Sequence, residues 1–188
     1  MTRKWPASTV DRALAGSYFE KAIRFRADAE KMMELADEFS GNGISVLCVH
    51  AAIAYGDAIA IFAAGRKSKS GDHRDAAPFL ASVVPIRSAE DKASMRAFAV
   101  ILSRKDEVSY LQDLLSQREA AALLDKLAHS PGGRRRPFGF YKKARDELLS
   151  RGTSPASYHL RRANVRFIDI RSGRCAGRSF PERRLSPK

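Results

Sequence analysis

Three groups of side chains in this sequence have the types and spacing to do chemistry. The first is His50, Tyr55 and Asp57, the few polar residues in an otherwise apolar run from Ile44 to Ala64. His50 and Asp57 are seven residues apart, a spacing that puts both on one face of a helix. An aspartate in so apolar a run is costly unless it is paired, and Arg104 or Lys105 is the expected partner. His50 is either a core histidine hydrogen-bonded to a neighbour or, with Tyr55 and Asp57, a polar group at a pocket. Asp57 is either a structural ion-pair member or part of that site. The second group is Arg66, Lys67 and Lys69, with Ser68 and Ser70, in a polar stretch that leads to His73. Where such a stretch enters a helix, the free backbone N–H groups favour an anion. The group reads as a phosphate site with His73 in contact, or as a solvated loop with His73 near a helix cap. The third is Arg104, Lys105, Asp106 and Tyr110, either a functional cluster at a helix end or a surface charge run with Tyr110 packed on the fold.

The elements that carry these groups are helical. A first helix is expected from a Ser8 or Thr9 cap, with Asp11 in its first turn. Its inward stripe is Tyr18, Ala22, Phe25, Ala29, Met32, Ala36 and Phe39, in alternating steps of three and four. Glu20, Lys21, Arg24, Arg26, Asp28, Glu30 and Lys31 form the outer face, and Ser-Gly-Asn-Gly at 40–43 stops the helix. A second helix over about 44–64 is apolar nearly all round and belongs at the centre of a bundle. Asp72 is placed to cap a third helix from His73 to Val84, before Pro85. Ser88 caps a fourth, with Met95, Phe98, Ile101 or Leu102, and Val108 inward. Ser116-Gln-Arg-Glu119 is a capping box that opens a fifth, with Leu123, Leu124 and Leu127 inward. No alternating strand pattern of useful length occurs before residue 129. The expected fold is all-α, a five-helix up-and-down bundle over residues 1–129.

Charge is distributed unevenly. Ser130 to Lys188 holds 16 of the 34 basic residues and 4 of the 21 acidic ones, which leaves 18 basic and 17 acidic residues in 1–129. The net +13 is therefore a property of the C-terminal extension and says little about the bundle. The two cysteines, Cys48 and Cys175, form no CxxC or Cys/His cluster. No metal site and no cofactor are expected. The start is basic, but no apolar segment of signal-peptide type follows it. No apolar run reaches 18 residues without polar interruption. These features point to a cytoplasmic protein without a membrane anchor.

The order of pieces over roughly residues 9–129 resembles the HEPN superfamily of small helical bundles. Val49-His-Ala-Ala-Ile-Ala-Tyr-Gly-Asp-Ala-Ile looks like that family's central helix, and Gly71-Asp-His-Arg-Asp-Ala-Ala-x-x-Leu80 is similar to its His-initiated third helix. The fourth helix ends in Ser103-Arg-Lys-Asp-Glu-Val-Ser-Tyr110, where the family carries an R-x4–6-H ribonuclease motif. The resemblance implies Arg104 at the phosphate and a histidine near the 2′-hydroxyl. Here Tyr110 stands where no histidine is found, and tyrosine, with a pKa of about 10, is a poor base at neutral pH. The only R-x6-H spacing is Arg66 to His73, across a turn. The resemblance therefore favours a non-catalytic binding module for RNA, a nucleotide or a protein partner, acting as a homodimer. The alternatives are a metal-independent ribonuclease of toxin–antitoxin type, working with Arg104 and Tyr110 beside a cognate nucleotidyltransferase-type protein, and an interaction bundle with no ligand site.

Residues 130–188 read as a basic, poorly structured extension, either an arm for nucleic acid with aromatics for stacking or a frameshift product. The second reading comes from codons. Ser-Pro-Gly-Gly-Arg-Arg, read one base earlier, permits Phe-Ala-Gly-Trp-Ala-Glu, which continues the stripe of Leu123 and Leu127. Sequencing the locus tests this expectation: it fails unless a single-base change restores an amphipathic helix.

Overall fold

The computed structural model describes residues 5–35, 40–69, 73–110 and 114–133. It is an all-α bundle of five helices, the fourth broken in two. The elements are α1 (Ala15–Glu34), α2 (Gly41–Ala64), α3 (Ala76–Val83), α4 (Ala89–Ser103) with its continuation α5 (Lys105–Tyr110), and α6 (Gln117–His129). Two three-residue strands, β1 (Ala7–Thr9) and β2 (Arg66–Ser68), pair antiparallel, with Ser8 opposite Lys67. They were not expected, because three residues are too few to show an alternating pattern.

α2 is the axis. Its apolar residues face every direction, so α1, α3, α4 and α6 pack around it and bury Ile44, Cys48, Val49, Ala52, Tyr55, Ile59 and Ile61. By length and composition alone α2 could cross a membrane; here it forms the middle of a protein core. Its start lies earlier than expected, because Gly41 and Gly43 are inside the helix. Both allow close approach: a Cβ at Gly41 would strike the carbonyl of Leu115, and one at Gly43 would lie 2.8 Å from Met32 Cε. At the other end Gly65 takes φ 62° and caps the helix, its N–H donating to Ile61 O at 2.8 Å. That left-handed turn sends the chain back along β2.

The first helix differs from expectation in two ways. Ser8 and Thr9 lie in or beside strand pairing, and Asp11 caps a short 3-10 turn, its Oδ1 accepting from Ala13 N at 2.9 Å. The buried stripe is Ala15, Phe19, Ala22, Arg26 and Ala29, rotated about one residue from the expected one. Tyr18 and Phe25 are half-buried at its edge, and Met32 is exposed. Arg26, expected outside, is buried, with Nε 3.5 Å from Glu30 Oε1. Ala22 and Ala29 belong to both stripes and let α1 lie close on α2, while Ala15 and Phe19 take inward places that Tyr18 and Phe25 were expected to fill. Ala36, Phe39 and the Asp72 cap fall outside the described residues.

The third helix begins later than expected, at Ala76 after a 3-10 turn over His73–Asp75, and the fourth breaks at Arg104, while the fourth and fifth start at the expected caps. Ser88 with Asp91, and Ser116 with Glu119, form complete capping boxes. Phe98, Ile101, Leu102, Val108, Leu123 and Leu127 are buried, and Phe98 fits over Gly56, where a Cβ would meet its ring at 2.6 Å. The packed chain runs on past His129. Ser130 Oγ donates to Leu127 O at 2.8 Å, Gly133 N donates to Ser130 O at 2.8 Å, and Pro131 is fully buried. Gly132 lies against the Tyr55 ring with no room for a Cβ. Residues 134–188, the rest of the expected extension, lie outside the described residues.

Gly132→Ala must push against the Tyr55 ring, so it is expected to destabilise the protein by about 1–3 kcal/mol. Urea unfolding of the full chain measures this; an unchanged midpoint would mean that the turn after α6 is not docked on α2.

Candidate functional site

α2 turns His50 and Asp57 outward along the same edge, where α1 and the β2 strand meet it. Seven residues of helix separate them by about 10 Å along the axis. Tyr55 does not join them. Two residues before Asp57 means about 200° around the helix, so Tyr55 points inward, 1% exposed and edge-on to Phe19 with ring centroids 5.6 Å apart. The expected His50–Tyr55–Asp57 pocket is thus a His50–Asp57 face, with Tyr55 in the core.

At the Asp57 end the cations differ from those expected. Arg104 is held by two carboxylates, with Nε 2.7 Å from Glu107 Oε2 and Nη2 3.1 Å from Glu119 Oε1. Lys67 on β2 and Lys21 on α1 act on Asp57 instead. A strand turns successive side chains to opposite faces, so pairing with β1 separates Lys67 from Arg66, and Lys69 lies past the end of the strand. Lys67 turns toward α1, where its Nζ donates to Tyr18 Oη at 2.9 Å, while Arg66 and Lys69 are exposed. Lys67 Nζ is 5.1 Å from the Tyr18 ring centroid. With the shorter distance to Oη, this puts the ammonium at the tip of the phenol, and the hydrogen bond is the contact that holds it. That bond, with the nearby Asp57 carboxylate, raises the Lys67 pKa. Burial pushes the Asp57 carboxyl up to about 6, against the opposing pull of Lys67 and Lys21. Desolvation wins because neither lysine is within ion-pair distance.

At the other end, the His50 ring is tilted against Phe25, centroids 5.5 Å apart, and Lys21 Nζ is 5.6 Å from the Phe25 centroid. Burial, then Lys21 and Lys105, lower the His50 pKa, so the imidazole is neutral at pH 7. Lys105 Nζ lies 5.3 Å from the Tyr110 centroid, and Tyr110 is 74% exposed. His73 lies in a 3-10 turn before α3, half-buried.

The result is a face that carries Lys67 of β2, Lys21 of α1 and Lys105 of α5, with Tyr18, Phe25 and Tyr110 beside them, Asp57 half-buried and His50 exposed. Sequence reasoning placed Lys21 on the outer face without a role and Tyr18 in the core. The signal that could have found them is Tyr18, Lys21 and Phe25 at steps of three and four, one residue off the buried stripe. Among the described residues no three His, Cys, Asp or Glu side chains are placed to hold a metal ion. Cys48 is buried, its thiol pushed up to about 12 by burial and by Glu30, so it is no nucleophile at neutral pH. No family model, curated protein or solved structure matches the chain.

Two measurements test this geometry. In the folded protein Asp57 holds its proton to about pH 6, whereas the unfolded group releases it near the ordinary value of 3.8. Over that window the folded state binds more protons, so stability falls as pH rises through it and stays low above. Asp57→Asn is therefore expected to raise stability at neutral pH by on the order of 2 kcal/mol and to leave it unchanged at acid pH. Urea unfolding at both pH values measures this, and a loss of stability at neutral pH would show that the ionised carboxylate is favourably paired. Separately, Cys48 in a Cys175→Ser background should react with a thiol reagent only after denaturant is added. Rapid labelling of the native protein would contradict its burial.

Proposed function

We propose that the bundle is a HEPN-like, non-catalytic binding module whose ligand is single-stranded RNA, held along the α1–α2 edge. The observation that carries this reading is the alternation of lysines and aromatic rings on that edge: Lys67 with Tyr18, Lys21 with Phe25, and Lys105 with Tyr110. Single-stranded nucleic acid is held by cations that follow its phosphates and by rings on which bases stack. Among the described residues none of the three lysines has a carboxylate within ion-pair distance, so their charge is available to a phosphate. Arg104 is engaged by Glu107 and Glu119. This supports a binding role over cleavage, because the one arginine placed to polarise a phosphate in the fourth helix is already neutralised. The neutral His50 gives the edge no fixed cation of its own.

The test is binding of a labelled oligouridylate to the full chain as salt is varied. The triple variant Lys21→Ala/Lys67→Ala/Lys105→Ala should bind at least tenfold more weakly, and its salt slope should fall by about 2, given roughly 0.7 per lost phosphate contact. An unchanged affinity and slope would place RNA binding elsewhere in the chain. Cleavage of the oligomer that disappears in Arg104→Ala would replace the binding reading with a ribonuclease.

A further inference from the structure

The lysine of β2 is held from the N-terminal side of the chain. Gly65 ends α2 in a left-handed turn, and the residues after it lie against residues 6–10. Val10 N donates to Gly65 O at 2.9 Å, and Lys69 N donates to Pro6 O at 3.0 Å. Between these two bonds the register sets Ser8 opposite Lys67. Hydrogen-bonded pairs recur at every second position of an antiparallel ladder. The bonds joining Pro6 to Lys69 and Val10 to Gly65 therefore make Ser8 and Lys67 the pair that exchanges both N–H···O bonds. Lys67 is fixed at both ends, its backbone by Ser8 and its ammonium by Tyr18 Oη at 2.9 Å.

Two strands of three residues do not hold together by pairing alone. Their anchor is on the other face. Ala7, and Trp5 two residues before it, pack against the core, while alternation turns Ser8 and Lys67 to the opposite face. Trp5 is half-buried, and its indole is the largest apolar group the segment brings. α1 begins only at Ala15, so the segment is laid onto the bundle and is not one of its helices.

We propose that residues 5–9 are a strap that positions the lysine face, with Trp5 as its anchor and Ser8 as its clasp on Lys67, so that the face binds a phosphodiester strand tightly only while the strap is docked. The inference rests on the reading of that face as an RNA site. Trp5 and Ser8 are positioning residues, because they act through Lys67. A free lysine side chain gives up rotamer freedom when it meets a phosphate. Here the pairing with Ser8 and the bond to Tyr18 impose that order before the strand arrives, which is preorganisation. Undocking the strap frees the backbone that carries Lys67, and the cation then has to be ordered by the ligand itself.

The test uses the full chain and labelled oligouridylate. Trp5→Ala, and Ser8→Pro, which removes the N–H that meets Lys67, should each bind several-fold more weakly than the parent, with helical circular dichroism unchanged. Trp5→Phe keeps an aromatic anchor and should bind as the parent does. The deciding measurement is a double-mutant cycle. If the strap acts through Lys67, Trp5→Ala must cost nothing further in a Lys67→Ala background. Equal losses in both backgrounds would mean that Trp5 aids binding by another route, and would overturn the proposal. Should Trp5→Ala alone lose helix, the cycle is run with Ser8→Pro; loss of helix in both would make the segment part of the core and would also overturn it. Trp5 is the only tryptophan in the chain, so its emission reads the strap directly. It should stay in place when the oligomer saturates the parent, and a red shift there would show that binding undocks the strap, against the proposal. If the triple lysine variant binds as the parent does, the RNA reading fails and takes the strap's role with it. If that variant is weakened while either strap variant keeps the parent's affinity, the strap alone fails.

Discussion

A helix that is apolar on every side has no face to offer to water, and α2 imposes that condition on the rest of the bundle. Fourteen of its 24 residues are buried. Each large apolar side chain that leaves water contributes about 1.5–3 kcal/mol, against about 1–2 kcal/mol for ordering a residue's backbone, so the helix is stable only when covered on all sides. Small residues decide how closely the cover fits. Ala22 and Ala29 bring α1 in, Gly56 admits Phe98 of α4, and Gly41 accepts the chain entering α6. After α6, Gly132 lets the chain cross the Tyr55 ring. The bundle therefore includes at least the turn that closes over Tyr55.

The same constraint explains why chemistry gathers on one edge. Polar groups on a helix of this kind survive only where the cover is incomplete, between α1 and β2. There Asp57 is half-buried while His50 is exposed, and desolvation is the largest influence on the protonation of each. A carboxyl held near neutrality by its surroundings is a poor contributor to stability and a useful group at a site. Its cost is tolerable because β2, a strand of only three residues, delivers Lys67 nearby.

The helices were legible in the sequence wherever local rules act alone. The Ser88 cap, the capping box at Ser116 and the all-round apolar second helix depend on neighbours within a few residues, and the structure has them where the sequence put them. The inward stripe of α1 was misread by about one position. Periodicity fixes the spacing of a stripe but not its phase when Tyr18 and Phe25 lie beside Phe19 and Ala22, and the phase is settled by which side of α1 packs on α2. Arg26 was misassigned for the same reason: a long aliphatic stem can be buried when Glu30 meets the charge one turn on. Lys67 looked like one member of a loose basic run, because nothing in residues 65–72 foretells that Ala7–Thr9, some sixty residues earlier, will pair with them. Long-range pairing of short strands leaves almost no local mark.

Net charge and usable charge are separate quantities, and this protein keeps them apart. Residues 1–129 are close to neutral, yet among the described residues Lys21 of α1, Lys67 of β2 and Lys105 of α5 face no carboxylate at ion-pair distance, while Arg104 faces two. What a phosphate would encounter depends on that local arrangement and not on the balance of the whole. The arginine-rich segment after Gly133 raises the net charge of the chain, which by itself does not create a site. A basic chain and a phosphate-binding edge therefore have to be argued separately. The second rests on how β1 holds β2, how β2 holds Lys67, and how α2 holds Asp57 between Lys67 and Lys21.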